Sequence, residues 1–405
     1  MAKQKILKFP PGFLWGASTS AYQIEGNNTN DWSEWEKSPA RLKHLNKEGK
    51  NLDDYICDLS CNSEERLDED LKCLKELGVK SYRFSIEWSR VQPEEGKFSV
   101  SGIEYYRGLI EKLKANKIEP FVTLWHYPLP LWLSKRGGWE SGEMEKYFCL
   151  YAKKVVGEYK NEVRFWTVLN EPDIYSGFAY LTGKFPPNKK NLFTYLMVIN
   201  NFIRVYKKAY LAIKEVAPNA QVGISKHNIY FEAYKNRWPN LVIKKLADWW
   251  WNFYFLNQIK NYEDFIGLNH YRRNTINYGF NKNENKIVSD FGWEVYPKSL
   301  YCVLIDLKKY HKPIYITEHG ISDSRDKYRP WFIKECLKYV HRAIAEGADV
   351  KGYSHWSLLD NFEWAAGWTQ KFGFYEVDRK TFKRTARPSA KVYAEICKNN
   401  QLVID

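Results

Sequence analysis

Two glutamates each stand directly behind a short apolar run. Glu171 follows Trp166-Thr167-Val168-Leu169-Asn170, and Glu318 follows Ile314-Tyr315-Ile316-Thr317. A lone glutamate at such a place is ordinarily a solvated loop residue. A pair of them, with Asn170 before one and His319 after the other, suits chemistry that needs one charged carboxylate and one carboxyl holding its proton. Carboxyls about 5–5.5 Å apart serve retaining cleavage of a glycosidic bond, and about 6.5–9.5 Å serve inversion. Other polar residues close apolar runs in the same way: Arg83 and Glu87, His126, Asn269-His270-Tyr271 and His355-Trp356. The chain also holds 17 Trp, 29 Tyr and 22 Phe. That is more ring surface than a core requires. It points to a pocket whose ring faces pack on sugar C–H groups while polar side chains reach the hydroxyls.

These residues need a frame. Eight short β-rich runs recur along the chain, at 13–17, 81–86, 120–124, 164–169, 221–225, 265–269, 313–317 and 350–354. Between them lie segments with apolar residues at helical spacing. Glu64 to Leu77 carries Leu67, Leu71, Leu74 and Leu77 and stops at Gly78, and Tyr105–Ala115, Asn200–Val216 and Trp331–Ala345 repeat the pattern. Strand–helix alternation predicts a parallel sheet, and eight units predict closure into a (β/α)8 TIM barrel. No glycine-rich fingerprint follows the first run, so a dinucleotide-binding sheet is not expected. With no linker or repeat, residues 1–405 read as one domain. In such a barrel the strand C-termini carry the chemistry, and that is where the polar residues fall.

Composition narrows the function. Apolar residues are 44% and charged residues 27% of 405, which is globular rather than disordered. The longest apolar stretch, Pro120 to Leu133, is broken by His126 and prolines and is too short for a membrane span. The net charge of +14 is spread along the chain, without a basic arm or a zinc-finger or RNA-binding signature, so neither nucleic acid nor membrane is an expected partner. The opening Met1–Pro10 lacks a signal-peptide core, and seven scattered cysteines do not form a disulfide framework. Both features are read as cytoplasmic. Cys57 and Cys61, four apart on an expected helix, have no partnering His or Cys pair and are not read as a metal site.

The motifs in order resemble glycoside hydrolase family 1, the retaining β-glucosidase/β-galactosidase group. They are Phe13-Leu14-Trp15-Gly16-Ala17-Ser18 with Tyr22-Gln23-Ile24-Glu25-Gly26; Tyr82-Arg83-Phe84-Ser85-Ile86 with Trp88-Ser89-Arg90; Thr123-Leu124-Trp125-His126; Thr167 to Pro172; Ile316-Thr317-Glu318-His319-Gly320; and Trp356 to Trp364. The resemblance runs from Phe13 to about Ile396. It implies that Glu318 is the nucleophile and Glu171 the general acid/base. It further implies that Gln23, His126, Asn170 and Glu363 bind sugar hydroxyls and that Trp356 and Trp364 form ring-facing walls. Arg83, Asn269 and Tyr271 support the carboxyl pair, and Phe372 stands at a wall position. The substrate class implied is a small β-glycoside or oligosaccharide, attacked at its terminal non-reducing β-D-glycosyl residue without metal or cofactor.

Two other functions compete. A 6-phospho-β-glycosidase is disfavoured because Glu363 stands where such relatives carry a small hydroxyl residue, and Phe372 removes a tyrosine hydroxyl. Glu171 is likewise not the Gln of thioglucoside-cleaving relatives. A catalytically idle sugar-binding protein is disfavoured by the intact glutamate pair. Three departures from the family pattern stand out. His319 replaces the usual Asn, and its imidazole is expected to pair with an acid or alter the local field. Tyr127-Pro128 replaces Trp-Asp or Trp-Pro and loses an indole N–H. The 248–265 segment is short, which predicts an open mouth and poorly formed aglycone subsites.

Overall fold

The computed structural model describes residues 5–404. Positions 1–4 of the N-terminal reading, and 405 at the end of the expected domain, lie outside them. Eight parallel strands close into a barrel. They are β1 (Leu14–Ser18), β2 (Ser81–Ser85), β3 (Glu119–Trp125), β4 (Phe165–Asn170), β5 (Gln221–His227), β6 (Phe265–His270), β7 (Ile314–His319) and β8 (Val350–Trp356). Neighbours in the ring are neighbours in the sequence, and β8 pairs with β1 to close it. All eight expected runs are strands, so the (β/α)8 expectation holds.

The helices form for local reasons. Leu67–Leu77 buries Leu71, Leu74 and Leu77, carries Asp68, Glu69 and Asp70 in its first turn, and ends at Gly78 with φ +67°. Acids at a helix N-terminus and a left-handed glycine beyond its C-terminus favour those boundaries. Expected from Glu64, the helix starts three residues later: residues 63–66 form turns, and the backbone of Arg66, at φ −119° and ψ 27°, is not helical. Leu192–Val216 and Arg329–Ala345 cover the barrel with continuous apolar faces. The chain ends are clasped together by Lys5–Lys8, antiparallel to Gln401–Ile404.

The barrel axis changes character from bottom to top. At the N-terminal end Phe121, Phe165 and Phe265 form an aromatic plug with Leu14 and Tyr315 packed against it. Phe121 and Phe165 stack at 5.1 Å. Gly223 makes room for this layer, since a Cβ there would stand 2.5 Å from the Phe265 carbonyl and 2.7 Å from its ring. Higher up, buried Thr123, Thr167, Ser225 and Thr317 replace rings, and the rim carries charge. The strand registers slip between Thr167 and Asn170 on β4 and between Ile316 and Glu318 on β7. Such bulges re-aim side chains, and these two lie directly beneath the two glutamates.

Cys57 and Cys61 are not on a helix. They flank a turn in which Asp58 and Ser60 have positive φ, and their thiols donate to the carbonyls of Tyr22 and Asp360. Among the described residues no cluster of three or more His, Cys, Asp or Glu is arranged to hold a metal, and no helix is long and apolar enough to cross a membrane.

The plug is remote from the rim, so Phe165→Ala should cost about 3–5 kcal/mol of stability in urea unfolding. Turnover per folded molecule should change little; a large activity loss at full stability would contradict this division of the barrel.

Candidate active site

A cavity of about 530 Å³ opens at the C-terminal ends of the strands, lined by both Glu171 and Glu318. That volume suits a small-molecule ligand. Glu318, at the end of β7, receives Arg83 Nη1 on Oε1 at 2.5 Å and the Tyr271 hydroxyl on Oε2 at 2.7 Å. Both of its oxygens thus face donors, and one donor is a permanent cation. Arg83 is 1% exposed, and its Nη2 donates to Asn170 Oδ1 at 2.7 Å.

Glu171 follows β4 in a left-handed conformation, φ +44°. A non-glycine residue held there costs about 1–3 kcal/mol and persists only when its surroundings fix it. Asn269 Nδ2 donates to its Oε1 at 2.8 Å and the Tyr127 hydroxyl to its Oε2 at 2.7 Å. Tyr127 is itself left-handed, φ +85°. Burial, and then the negative charge of Glu318, push the Glu171 carboxyl well above the usual range, while the two hydrogen bonds pull it back. Asn269 is braced in turn by Thr317 at 2.7 Å and also donates to Asn170 Oδ1.

Asn170 Nδ2 lies 3.1 Å from His126 Nε2. With Nε2 accepting, the His126 proton sits on Nδ1, a buried atom without a protein partner. Burial and Arg83 hold this imidazole neutral. Glu363 presents a second unpartnered atom, Oε2. Its carboxyl is raised to about 8 by burial and by Glu318, against a hydrogen bond from Trp356. The rings of Trp356 and Trp364 lie 6.0 Å and 5.9 Å from His126, nearly parallel to it. Unpaired polar atoms beside flat aromatic faces are what a sugar ring requires.

Of the residues expected from the sequence, eight line the cavity: His126, Asn170, Glu171, Tyr271, Glu318, Trp356, Glu363 and Trp364. Phe372 joins them as a wall 6.0 Å from Tyr271. Arg83 and Asn269 stand behind the carboxyls. Gln23 is buried outside the lining. Its Nε2 donates to Asn361 and to the Phe362 carbonyl, and its Oε1 accepts from Ser20. It braces the turn that presents Glu363.

Two expectations need correction. His319 pairs with no acid. Its Nδ1 lies 2.9 Å from the Tyr353 hydroxyl, its ring stacks on Phe332, and burial with His270 and His355 keeps it neutral. Nor is the mouth bare. The 248–265 segment is a six-residue π-helix, Asp248–Phe253, followed by a short α-helix, Tyr254–Ile259. Phe291 and Trp293, stacked at 4.3 Å, nevertheless line the cavity together with Phe178 and Phe185. Sequence reasoning missed His227, Arg272 and the hydroxyl of Tyr127. Tyr127 stood out only as a lost indole; what it supplies instead is a donor to Glu171.

A model described as Glycosyl hydrolase family 1 matches residues 5–259 and 239–402, overlapping around the compressed segment. Beta-glucosidase A of Acetivibrio thermocellus is 33% identical over 447 positions, covering 97% of this chain and 99% of that protein. A 1,4-beta-D-glucan glucohydrolase of Thermotoga neapolitana is 30% identical over 449 positions, covering 98% and 99%. Among solved structures, a beta-glycosidase from Pyrococcus horikoshii superposes with TM-score 0.88 at 34% identity, over 99% of this chain and 97% of that one. A beta-glucosidase from Thermotoga maritima in complex with glucoimidazole gives TM-score 0.90 at 29% identity, over 97% and 99%.

Tyr127→Phe removes a donor that favours ionised Glu171. A hydrogen bond to a charged group is worth about 1.5–3 kcal/mol and one pH unit about 1.4 kcal/mol. The Glu171 carboxyl should therefore titrate about one unit higher, read by carbon-13 NMR with Glu171→Gln assigning the signal. An unmoved titration would show the contact to be idle.

Proposed function

This chain belongs to glycosyl hydrolase family 1, and we propose that it removes terminal non-reducing β-D-glycosyl residues with retention, Glu318 acting as nucleophile and Glu171 as acid and base. Glu318 attacks the anomeric carbon as the bond to the leaving oxygen breaks, and Glu171 gives that oxygen its proton. A glycosyl ester on Glu318 results. Water then attacks the same carbon, Glu171 takes its proton, and Glu318 leaves as carboxylate. The observation that carries this reading is the asymmetry of the pair. One carboxyl is gripped by Arg83 and Tyr271, while the other is pushed up by burial and by the first one's charge.

Esterifying Glu318 removes that charge, so Glu171 becomes more acidic when it must act as a base. Asn170, held between Arg83 and His126, is placed for the sugar 2-hydroxyl. His126 Nδ1 and Glu363 Oε2 serve other hydroxyls, and Trp356 and Trp364 pack on the ring. Residues 1–405 act as one catalytic domain, in the cytoplasm, on ordinary O-glycosides. A 6-phosphate is unfavourable: Arg83 is committed to Glu318 in the same cavity, and Phe372 in the lining offers no hydroxyl to hold a phosphate.

Glu318→Ala should lower turnover at least about a thousandfold. Glu171→Ala, given an activated nitrophenyl β-glycoside and azide, should yield a β-glycosyl azide; an α product, or activity untouched by both changes, would end this reading. Nitrophenyl β-glucoside should be cleaved in preference to its 6-phosphate, and the reverse order would favour the phosphoglycosidase. In the kcat/KM profile the alkaline limb reports loss of the Glu171 proton, so Tyr127→Phe should carry that limb to higher pH.

A further inference from the structure

One side of the cavity mouth carries positive charge that the protein does not answer. Arg272 follows Tyr271 beyond β6, lines the cavity and is partly buried, its guanidinium 5.5 Å from the Trp293 ring centroid. Among the described residues its side chain makes no ion pair and no hydrogen bond. Burial lowers its pKa, and no carboxylate acts to raise it. The next residue behaves oppositely: Arg273 is clamped by Glu294 at 2.5 Å and Glu232 at 2.6 Å. A cation withdrawn from water without a partner is costly.

Beside it is a second unanswered group. His227, at the end of β5, lines the same cavity, is 5% exposed and has no partner for Nδ1. Its ring stacks on Tyr271 at 6.2 Å, and burial with Arg272, Lys226 and His270 keeps it neutral. It therefore has one N–H to give. Lys184 enters the lining from the loop after β4, exposed, over Phe178, and without an ion pair among the described residues.

Position says which part of a substrate these groups meet. The unpartnered atoms of the sugar side, on His126 and Glu363, come from the end of β3 and the loop after β8. Glu171, which protonates the leaving oxygen, ends β4, whose neighbour in the barrel is β5. The β5–β6 rim therefore lies on the leaving-group side, where Tyr271, which donates to Glu318, stands 5.9 Å from the Trp293 ring.

We propose that Arg272 and His227 form an oxyanion subsite for the aglycone, so that the preferred substrates are β-glycosides of aromatic leaving groups bearing a carboxylate. The ring lies against Trp293, and the carboxylate takes the Arg272 guanidinium and the His227 N–H, with Lys184 attracting it at the mouth. The inference rests on Glu171 being the acid, because that assignment fixes the leaving-group side.

The test compares 4-carboxyphenyl β-D-glucoside with its neutral isostere, 4-carbamoylphenyl β-D-glucoside, and repeats the pair as galactosides. A charge-assisted contact gives about a tenfold kcat/KM preference for the carboxylate, mostly in KM, fading as salt is raised. Arg272→Gln should bring the ratio near one, and Arg272→Lys should keep part of it. A wild-type ratio near one, or a ratio indifferent to salt and to Arg272→Lys, overturns the subsite even if Arg272→Gln fails to fold. If nitrophenyl β-glycosides of both sugars are not cleaved at all, the hydrolase reading itself has failed, which is a different result.

Discussion

One buried guanidinium organises the rim. Arg83 leaves β2, is 1% exposed, and reaches across the barrel to Glu318 on β7 and Asn170 on β4. Removing both an arginine and a glutamate from water costs several kcal/mol per ion, and only close, fixed pairing offsets it. The pair holds only if three strands keep their registers, so the geometry of the rim is tied to the integrity of the barrel. Its charge is also spent once. With Arg83 committed to Glu318, Glu171 and Glu363 share the cavity with no cation of their own, and both are driven toward the protonated form.

Everything around this pair trades stability for readiness. Glu171, Tyr127 and Trp364 all sit at positive φ, conformations that side-chain residues adopt at a cost. His126 Nδ1 and Glu363 Oε2 are buried without partners, which native interiors ordinarily avoid. The interior below supports these liabilities. An aromatic plug closes the bottom, and threonines and serines fill the layer between. The bulges on β4 and β7 turn the two glutamates inward. The strain lies where a ligand can relieve it.

The scaffold was largely legible in the sequence because it depends on local patterns. Eight β-rich runs with amphipathic segments between them suffice to predict the barrel, and each became a strand. The site was legible where a residue ends a strand, since the barrel rule then places it at the rim. Glu171, Glu318, His126 and Tyr271 fall in this class. What escaped depends on three-dimensional partners. The turn at Cys57–Cys61 looks helical until Asp58 and Ser60 are seen at positive φ. His319 looks available until Tyr353 and Phe332 enclose it. Gln23 gives no sign in sequence that its amide is bonded to Asn361 and Phe362. Arg272 is indistinguishable in sequence from Arg273, and only the acids around each tell them apart.

The two donors on Glu171 resolve a conflict in its proposed task. An acid that must later act as a base needs a pKa that can move through working pH, and burial beside Glu318 alone would hold it too high. Tyr127 and Asn269 lower it by bonding to the carboxylate, one to each oxygen. Neither donor touches Glu318, so both bonds persist when Glu318 is esterified. On the proposed mechanism, losing the Glu318 charge lowers Glu171 basicity between the two half-reactions, while the donors set the level from which it drops. A family position usually held by tryptophan is occupied here by a phenol that acts on that level. On the proposed mechanism the departure at Tyr127 bears on proton affinity, through the one bond the phenol makes to Glu171.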